Sequence, residues 1–170
     1  MSADEVNVRL DSGKIYRLKT PFVGKYGEDR IVLNLGICDL RPTSTVDFCK
    51  ITLLDQNNSA QFEININRRD GTVIMRCPIL GSTTPIKTYS LRDYFRQGVV
   101  NTIEINLVEF VWQGQIPIGG YYIKTPIRPI EAQLPAFSPT QSIKFEVSDS
   151  DRLTRQSYVS MSHYIPWGSQ

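Results

Sequence analysis

The chain has 170 residues, of which 41% are hydrophobic and 21% charged, and its formal net charge at pH 7 is +2. This composition is that of an ordinary globular protein and excludes an intrinsically disordered chain. A charge so close to zero gives no overall field toward nucleic acid or an anionic membrane, so such binding would need a local patch. The length predicts one domain spanning residues 1–170.

The N-terminal residues MSADEVNV contain no apolar signal core, and no apolar run is long enough for a transmembrane segment. We therefore expect a cytoplasmic protein. The three cysteines, Cys38, Cys49 and Cys77, lack metal-ligand spacing and are interpreted as small buried hydrophobic residues. The sequence predicts neither a cofactor nor a metal site.

The first strands are predicted from alternation of apolar and polar residues. Glu5 to Leu10 and Lys14 to Lys19 both alternate, and Asp11 to Gly13 supplies a turn between them. This pattern favours a first hairpin. Residues Arg30 to Cys38 then predict a strand that is covered on most sides.

The stretch from Thr45 to Cys77 predicts three consecutive antiparallel strands. Within it, Gln61 to Asn67 alternates strictly, with apolar side chains on one face and polar, displayed side chains on the other. The Asp70-Gly71 pair that follows is a strong hairpin signal, because glycine adopts positive φ without steric cost.

Ser90 to Gly98 is the only credible helix, with Ser90 as its N-cap. Asn101 to Trp112 predicts the longest strand, and its alternation changes parity near Val108, which indicates a bulge or a strand end buried on both faces. Ser142 to Val147 predicts a further strand, and the apolar tail after it is expected to dock. Together these elements predict an all-β fold, a single-domain antiparallel β-sandwich or jelly roll with one short helix.

Residues 113–141 contain five of the ten prolines. Because proline lacks the donor that a central strand needs, we predict a loop, a polyproline-like extension or an edge for this arm. It can bind a partner's groove or be exchanged between protomers, or it can lie across its own sandwich. The candidate interaction residues are Trp112, Tyr121, Tyr122, Lys124, Arg128 and Phe137.

Catalytic groups are scarce. The single histidine, His163, is interpreted as a packed or exposed residue and not as a member of a triad. The strand carboxylates Glu63, Glu104 and Glu109 could in principle pair as acid and base, but we interpret them as part of a solvated polar face. The sequence therefore predicts no enzyme and no catalytic residue.

A second constellation, Asn65, Asn67, Arg69 and Arg76, flanks the Asp70-Gly71 turn. Amides and guanidinium groups side by side suit a neutral polyhydroxyl ligand or a carboxylate, and the alternative is a hydrated outer face. A basic patch for phosphate or lipid head groups is a further alternative. It would comprise Arg68, Arg69, Arg76, Arg92 and Arg96.

The segment IVLNLGICDLRPTSTVDFCKITLLDQNNSAQFEININRRDGTVIMRC resembles the first half of a galectin. That family has a His-x-Asn-x-Arg motif on one strand and an Asn on the next. The resemblance implies that Asn67 and Arg69 keep the family's Asn and Arg, that Asn65 replaces the His, and that Arg76 replaces the second Asn. The family's Trp-Gly-x-Glu-x-Arg motif is absent, since no tryptophan occurs between Cys77 and Gly98. The resemblance implies a galectin-like sandwich and a sugar site with altered residues.

Our leading interpretation is a non-catalytic interaction or structural module that self-associates through the arm and strand edges into a homo-oligomer. An assembly protein, such as a viral matrix or shell component, would fit. The alternative is a galectin-like carbohydrate-binding protein whose partner is a glycan and whose site is Asn65, Asn67, Arg69 and Arg76.

Overall fold

The computed structural model describes residues 2–23, 29–37, 48–68, 70–78, 87–113, 116–132, 139–147 and 159–165. Within these ranges there are twelve strands and one short helix. The strands are β1 (Ser2–Leu10), β2 (Ile15–Phe22), β3 (Arg30–Ile37), β4 (Phe48–Leu54), β5 (Ala60–Asn67), β6 (Thr72–Arg76), β7 (Lys87–Ser90), β8 (Val100–Gln113), β9 (Ile116–Lys124), β10 (Pro129–Ala132), β11 (Thr140–Val147) and β12 (Val159–Ile165), and the helix is α1 (Leu91–Tyr94).

The strands form two six-stranded sheets in which neighbouring strands are antiparallel. Sheet 1 has the order β1-β12-β3-β8-β9-β10, and sheet 2 has the order β2-β11-β4-β5-β6-β7. The predicted all-β sandwich with one short helix is confirmed. Among the residues described, none of the helical structure is long and apolar enough to cross a bilayer.

The two sheets share one hydrophobic core. Inward residues from sheet 1, such as Ile31, Ile103 and Ile123, are fully buried, and so are Leu53 and Phe62 from sheet 2. Alternation along each strand places these side chains between the layers and their polar neighbours outside.

The meander predicted from Thr45 to Cys77 is confirmed as β4, β5 and β6. Gly71 has φ of +64°, the left-handed conformation that the Asp70-Gly71 turn requires. The expectation that the polar side chains of β5 are all displayed is wrong. Gln61 is only 1% exposed and Glu63 only 7%, because neighbouring strands and side chains cover them.

The predicted first hairpin is wrong. β1 pairs with β12 in sheet 1, whereas β2 pairs with β11 in sheet 2. The turn between them, which includes Gly13 at φ +82°, carries the chain from one sheet to the other. Alternation reports which face of a strand is buried but not which strand lies beside it.

The predicted arm at residues 113–141 is largely sheet. β9 pairs along β8, and β10 pairs with β9 as the edge strand of sheet 1. Pro117 lies on the part of β9 that β10 does not reach, and Pro129 begins the edge strand, two positions where a missing donor is tolerated. The prediction of a loop or free extension is therefore wrong for Ile116–Lys124, and the edge assignment is right for Pro129–Ala132.

Later elements mostly follow the sequence. β8 is the longest strand described, and its pairing with β9 shifts between Glu109 and Val111, close to the predicted bulge at Val108. The helix is shorter than predicted, and Ser90 makes no side-chain capping hydrogen bond. The tail docks as β12, an interior strand of sheet 1 between β1 and β3.

Cys77 is buried in the core and Cys49 is half-buried, while Cys38 lies outside the described residues.

Candidate functional site

The outer surface of β4, β5 and β6 carries most of the sugar-site candidates. Residues directly opposite each other on antiparallel strands project from the same face of the sheet. The register therefore groups one set of side chains on the outside of sheet 2, which we call the polar face. Its members are Lys50, Thr52, Glu63, Asn65, Asn67, Thr72, Ile74 and Arg76.

An ion-pair network runs across the polar face. Glu63 accepts a short contact from Arg76 Nε on β6 and lies 3.7 Å from Lys50 Nζ on β4. Lys50 also lies 3.7 Å from Glu146 on β11, which in turn lies 3.8 Å from Lys144 Nζ. Glu63 is nearly buried, so its negative charge must be stabilised by nearby cations. Arg76 and Lys50 provide that stabilisation, and Glu63 in turn offsets part of their positive charge.

Asn67 is engaged in the β5-β6 turn. Its Nδ2 donates to Asp70 Oδ2 at 3.1 Å, and its Oδ1 accepts from the Asp70 backbone N–H at 3.1 Å. Arg69 lies outside the described residues. Of the four predicted site residues, Asn65 and Arg76 therefore remain on the polar face with side chains not committed to the turn.

Two polar atoms of the polar face have no hydrogen-bond partner among the described residues. These are Asn65 Oδ1 and Thr72 Oγ1, both buried at the atomic level. Leaving such atoms unpaired costs about 1–3 kcal/mol each, and a ligand hydroxyl group would recover this energy once a side-chain rotation exposed them. Ile74 lies opposite Asn65 and is half-buried, which places a small apolar surface beside these polar groups.

The alternative of a basic patch is not supported by the described arginines. Arg76 is neutralised by Glu63, and Arg68 is only 7% exposed. Arg92 and Arg96 are exposed, but they follow β7 on and after α1. The polar face therefore presents compensated charges and amides, with little net attraction for phosphate.

Of the carboxylates considered as an acid and base pair, Glu63 and Glu104 are not brought together. Glu63 lies on sheet 2, whereas Glu104 lies on β8 of sheet 1. Glu104 is held by Arg30 at 2.8 Å and by Lys124 at 3.2 Å. Glu109 lies on the same strand as Glu104. This arrangement is that of structural ion pairs.

Several of the residues proposed for the arm make contacts within the fold. Tyr121 is 1% exposed and stacks on Phe62 across the core, so it is not available to a partner. Lys124 pairs with Glu104, and the Arg128 guanidinium lies 5.6 Å from the centroid of the Tyr94 ring. Tyr122 is half-buried, Trp112 is opposite Pro117 in the β8-β9 ladder, and Phe137 lies outside the described residues.

A buried polar cluster lies between the sheets, and sequence reasoning did not find it. His163 is 0% exposed, and its Nε2 lies 2.6 Å from Asp29 Oδ1. Glu5, opposite His163 on β1, is 3% exposed and accepts a 2.6 Å hydrogen bond from Tyr16 OH. That bond, together with burial, raises the pKa of Tyr16 to about 12. In the sequence, the only sign of this cluster was a lone histidine, because the carboxylates that surround it are distant in sequence.

A cleft of about 220 Å³ is lined by Pro21, Asp55, Gln56, Asn57, Pro139 and Gln141. Asp55 Oδ1 is occupied, since it accepts backbone hydrogen bonds from Asn57 and Ser59 at 2.9 Å. This carboxylate therefore stabilises its own turn, and the cleft is not part of the polar face.

Comparison with solved structures identifies the architecture. No family model and no curated protein sequence matches the chain. Galectin LEC-6 of Caenorhabditis elegans superposes with a TM-score of 0.59 at 14% identity, covering 96% of each chain. The fold is galectin-like.

Two other galectins superpose over nearly the same span. Sheep galectin-11, solved in complex with glycerol, has a TM-score of 0.55 at 10% identity, covering 89% of this chain and 98% of its own. A tetrameric galectin from the ball sponge Cinachyrella sp. has a TM-score of 0.51 at 11% identity, covering 89% of this chain and 100% of its own. The likeness to galectins therefore extends over both sheets and beyond the segment that resembles the family in sequence.

Proposed function

We propose that this chain is a non-catalytic, single-domain carbohydrate-binding protein that uses the polar face of sheet 2. The observation that carries the proposal is a pair of polar atoms, Asn65 Oδ1 and Thr72 Oγ1, that have no hydrogen-bond partner within the described part of this galectin-like sandwich. Hydroxyl groups donate and accept hydrogen bonds, so a sugar can satisfy both atoms.

The charges on the polar face favour a neutral glycan over an anionic one. Glu63 and Glu146 offset two of the three positive charges of Arg76, Lys50 and Lys144, so the network has little excess charge to attract a phosphate or sulfate group. Arg76 is still exposed and keeps donors beyond the single Nε contact with Glu63. Ile74 offers an apolar contact for the C–H side of a sugar ring, in place of the tryptophan that the family motif would supply.

A glycan array probed with the parent protein and with Asn65→Ala and Arg76→Ala would test this function. We expect the parent to bind a set of neutral oligosaccharides and both variants to lose most of that signal. A matched control is Asn34→Ala, which removes an asparagine from the outer face of sheet 1, where Asn34 Oδ1 accepts a hydrogen bond from Thr102. Absence of any bound glycan, or signals from Asn65→Ala and Arg76→Ala equal to the parent's, would contradict the proposal.

Self-association is a second proposal, now based on strand edges and not on the arm. β1 and β2 are the edge strands on the same side of the two sheets, and they carry the exposed apolar side chains of Val6 and Ile15, which are 55% and 48% exposed. Edge strands with exposed apolar residues are templates for pairing with another chain.

Light scattering on the parent and on a Val6→Lys, Ile15→Lys double variant would test self-association. We expect a dimer or larger assembly that becomes a monomer in the variant, because charged edge residues oppose strand pairing. A monomeric parent at high concentration would contradict it.

A further inference from the structure

The buried cluster around His163 contains a set of unused metal-ligand atoms. One ligand atom from each of Asp4, Glu5 and His163 lies within 4.8 Å of the other two. Asp4 Oδ2, Glu5 Oε2 and His163 Nδ1 are all buried atoms for which the described part of the chain supplies no hydrogen-bond partner. His163 is 0% exposed and Glu5 is 3% exposed, so water does not readily satisfy these atoms.

Asp29 determines which imidazole nitrogen is available. His163 Nε2 lies 2.6 Å from Asp29 Oδ1, and a carboxylate accepts a proton donor, so Nε2 carries hydrogen. In the neutral ring Nδ1 is then a lone-pair acceptor, and it lacks a donor. Histidine ligands of metals commonly show this arrangement, in which a carboxylate fixes the second nitrogen and orients the ring.

The local charge also favours a cation. Asp4 and Glu5 place two carboxylates beside the imidazole of His163, whose other nitrogen contacts Asp29. Among the described residues, neither Asp4 nor Glu5 forms an ion pair with a lysine or arginine. The Tyr16 hydroxyl satisfies one oxygen of Glu5 and leaves the other oxygen without a donor. Buried carboxylates without a cation are costly, and a divalent ion would neutralise them.

The backbone is irregular at this position. The β1-β12 pairing shifts between Glu5 and Val8, and Asn7 has φ of +52°, rare for a residue other than glycine. The Asn7 backbone N–H donates to Ser162 Oγ at 3.0 Å, which holds the irregularity in place. Bulges of this kind change the direction in which nearby side chains point. This one directly follows Glu5, so it can set the orientation of the Glu5 carboxylate.

We propose that Asp4, Glu5 and His163 form a binding site for a divalent transition-metal ion, with Zn²⁺ as the best-fitting probe. One imidazole nitrogen and two carboxylate oxygens suit zinc, whose bonds to nitrogen and oxygen are about 2.0–2.2 Å long. The half-exposed Asp4 provides the route from solvent. The ion would link β1 to β12, and its position inside the sandwich separates it from the polar face.

Zinc binding to the full chain tests the proposal. After chelator treatment and dialysis, isothermal titration with ZnCl₂ and metal analysis are expected to give one ion per chain and a raised unfolding temperature. Asp4→Asn and Glu5→Gln are each expected to weaken binding by about tenfold or more, as loss of site residues commonly does. Asp11→Asn, at the exposed turn after β1, is the matched control and should bind as the parent does.

The ¹⁵N signals of the imidazole give a readout independent of affinity. We expect the Nδ1 signal of His163 to move from that of an acceptor nitrogen to that of a metal-bound one when zinc is added. Absence of saturable binding, unchanged affinity in Asp4→Asn, or an imidazolium ring that zinc leaves unaltered would each overturn the proposal. Because Asp4 is half-exposed, its variant remains a fair test even if Glu5→Gln does not fold.

Discussion

Phe62 of β5 and Tyr121 of β9 stack across the interior, with ring centroids 4.1 Å apart and planes inclined by 23°. Each ring comes from a different sheet, and both residues are fully buried. Burial also raises the pKa of the Tyr121 hydroxyl above its ordinary range. This contact joins the two layers of the sandwich directly beneath the polar face.

Replacing Phe62 with alanine should therefore destabilise the whole fold. Removal of a large buried aromatic costs about 3–5 kcal/mol, because the cavity that remains is only partly filled by its neighbours. Urea denaturation of Phe62→Ala against Ile127→Ala, whose side chain is 41% exposed, would measure the difference. The control should change by about 0.5 kcal/mol or less. A similar loss in both variants would show that the stack has no special role.

Asn101 stabilises the loop that precedes β8. Its buried amide accepts from the Arg96 backbone N–H at 2.9 Å and donates to the carbonyl oxygens of Arg96 and Val99 at 3.0 and 3.4 Å. Asn101→Ala should lower the free energy of unfolding by roughly 1–3 kcal/mol, since these backbone groups lose their partners. Thr102→Ala, on the exposed side of the same strand, is the control for chemical denaturation. Equal stability of the two variants would refute this role.

Substitution of Gly71 isolates the effect of backbone conformation on stability. Its φ is +64°, and an added Cβ would meet no atom within 4 Å. Gly71→Ala should therefore cost about 1–2 kcal/mol through the left-handed backbone and not through a clash. Gly71→Asn should cost less, because asparagine tolerates this conformation. Thermal unfolding of both variants gives the order, and an alanine variant as stable as the parent would contradict it.

Alkaline pH should destabilise the protein through buried groups that stay protonated only when folded. Burial raises the pKa of Cys77 from 9.0 to about 11, so between these values the unfolded chain releases a proton that the folded chain retains. Stability then falls as pH rises from about 9 to 11. Urea midpoints measured across this range should show a smaller fall in Cys77→Val than in the parent. An identical pH profile for the two proteins would disprove the contribution of Cys77.

The ligand preference of the polar face should change when Glu63 is neutralised. Glu63→Gln removes the charge that compensates Arg76 and Lys50, so binding of sulfated or other anionic glycans should rise relative to neutral ones. Glu146→Gln makes the same charge change at a residue whose ion pairs within the described ranges are with Lys50 and Lys144, so it should shift the preference less. Competition assays with matched neutral and sulfated oligosaccharides would measure the shift. An unaltered preference in Glu63→Gln would mean that ligands bind elsewhere.

Local patterns predicted the parts of the fold that depend on neighbouring residues. The β4-β5-β6 meander followed from strict alternation and from the Asp70-Gly71 turn, because each hairpin is specified by a few adjacent positions. Partners distant in sequence were not predictable in this way. β1 pairs with β12, and no feature of either strand identifies the other.

The candidate site shows the same limit. Alternation placed Asn65 and Asn67 on one face, but only the folded turn shows that Asp70 occupies the amide of Asn67. The prolines of residues 113–141 suggested an arm, since the sequence does not reveal that Pro117 lies on β9 beyond the described extent of β10. The cluster of His163 with Asp29 and Glu5 arises from three separate segments and carries no local signature.

The position of β12 between β1 and β3 has a consequence for synthesis of the protein. Sheet 1 has a missing interior strand until residue 165 has left the ribosome, whereas β4 to β7 can pair as soon as they emerge. Such long-range pairing is slow compared with local hairpin formation. The nascent chain therefore exposes the edges of β1 and β3 until residue 165 has emerged, and a chaperone has the greatest opportunity to act during that interval.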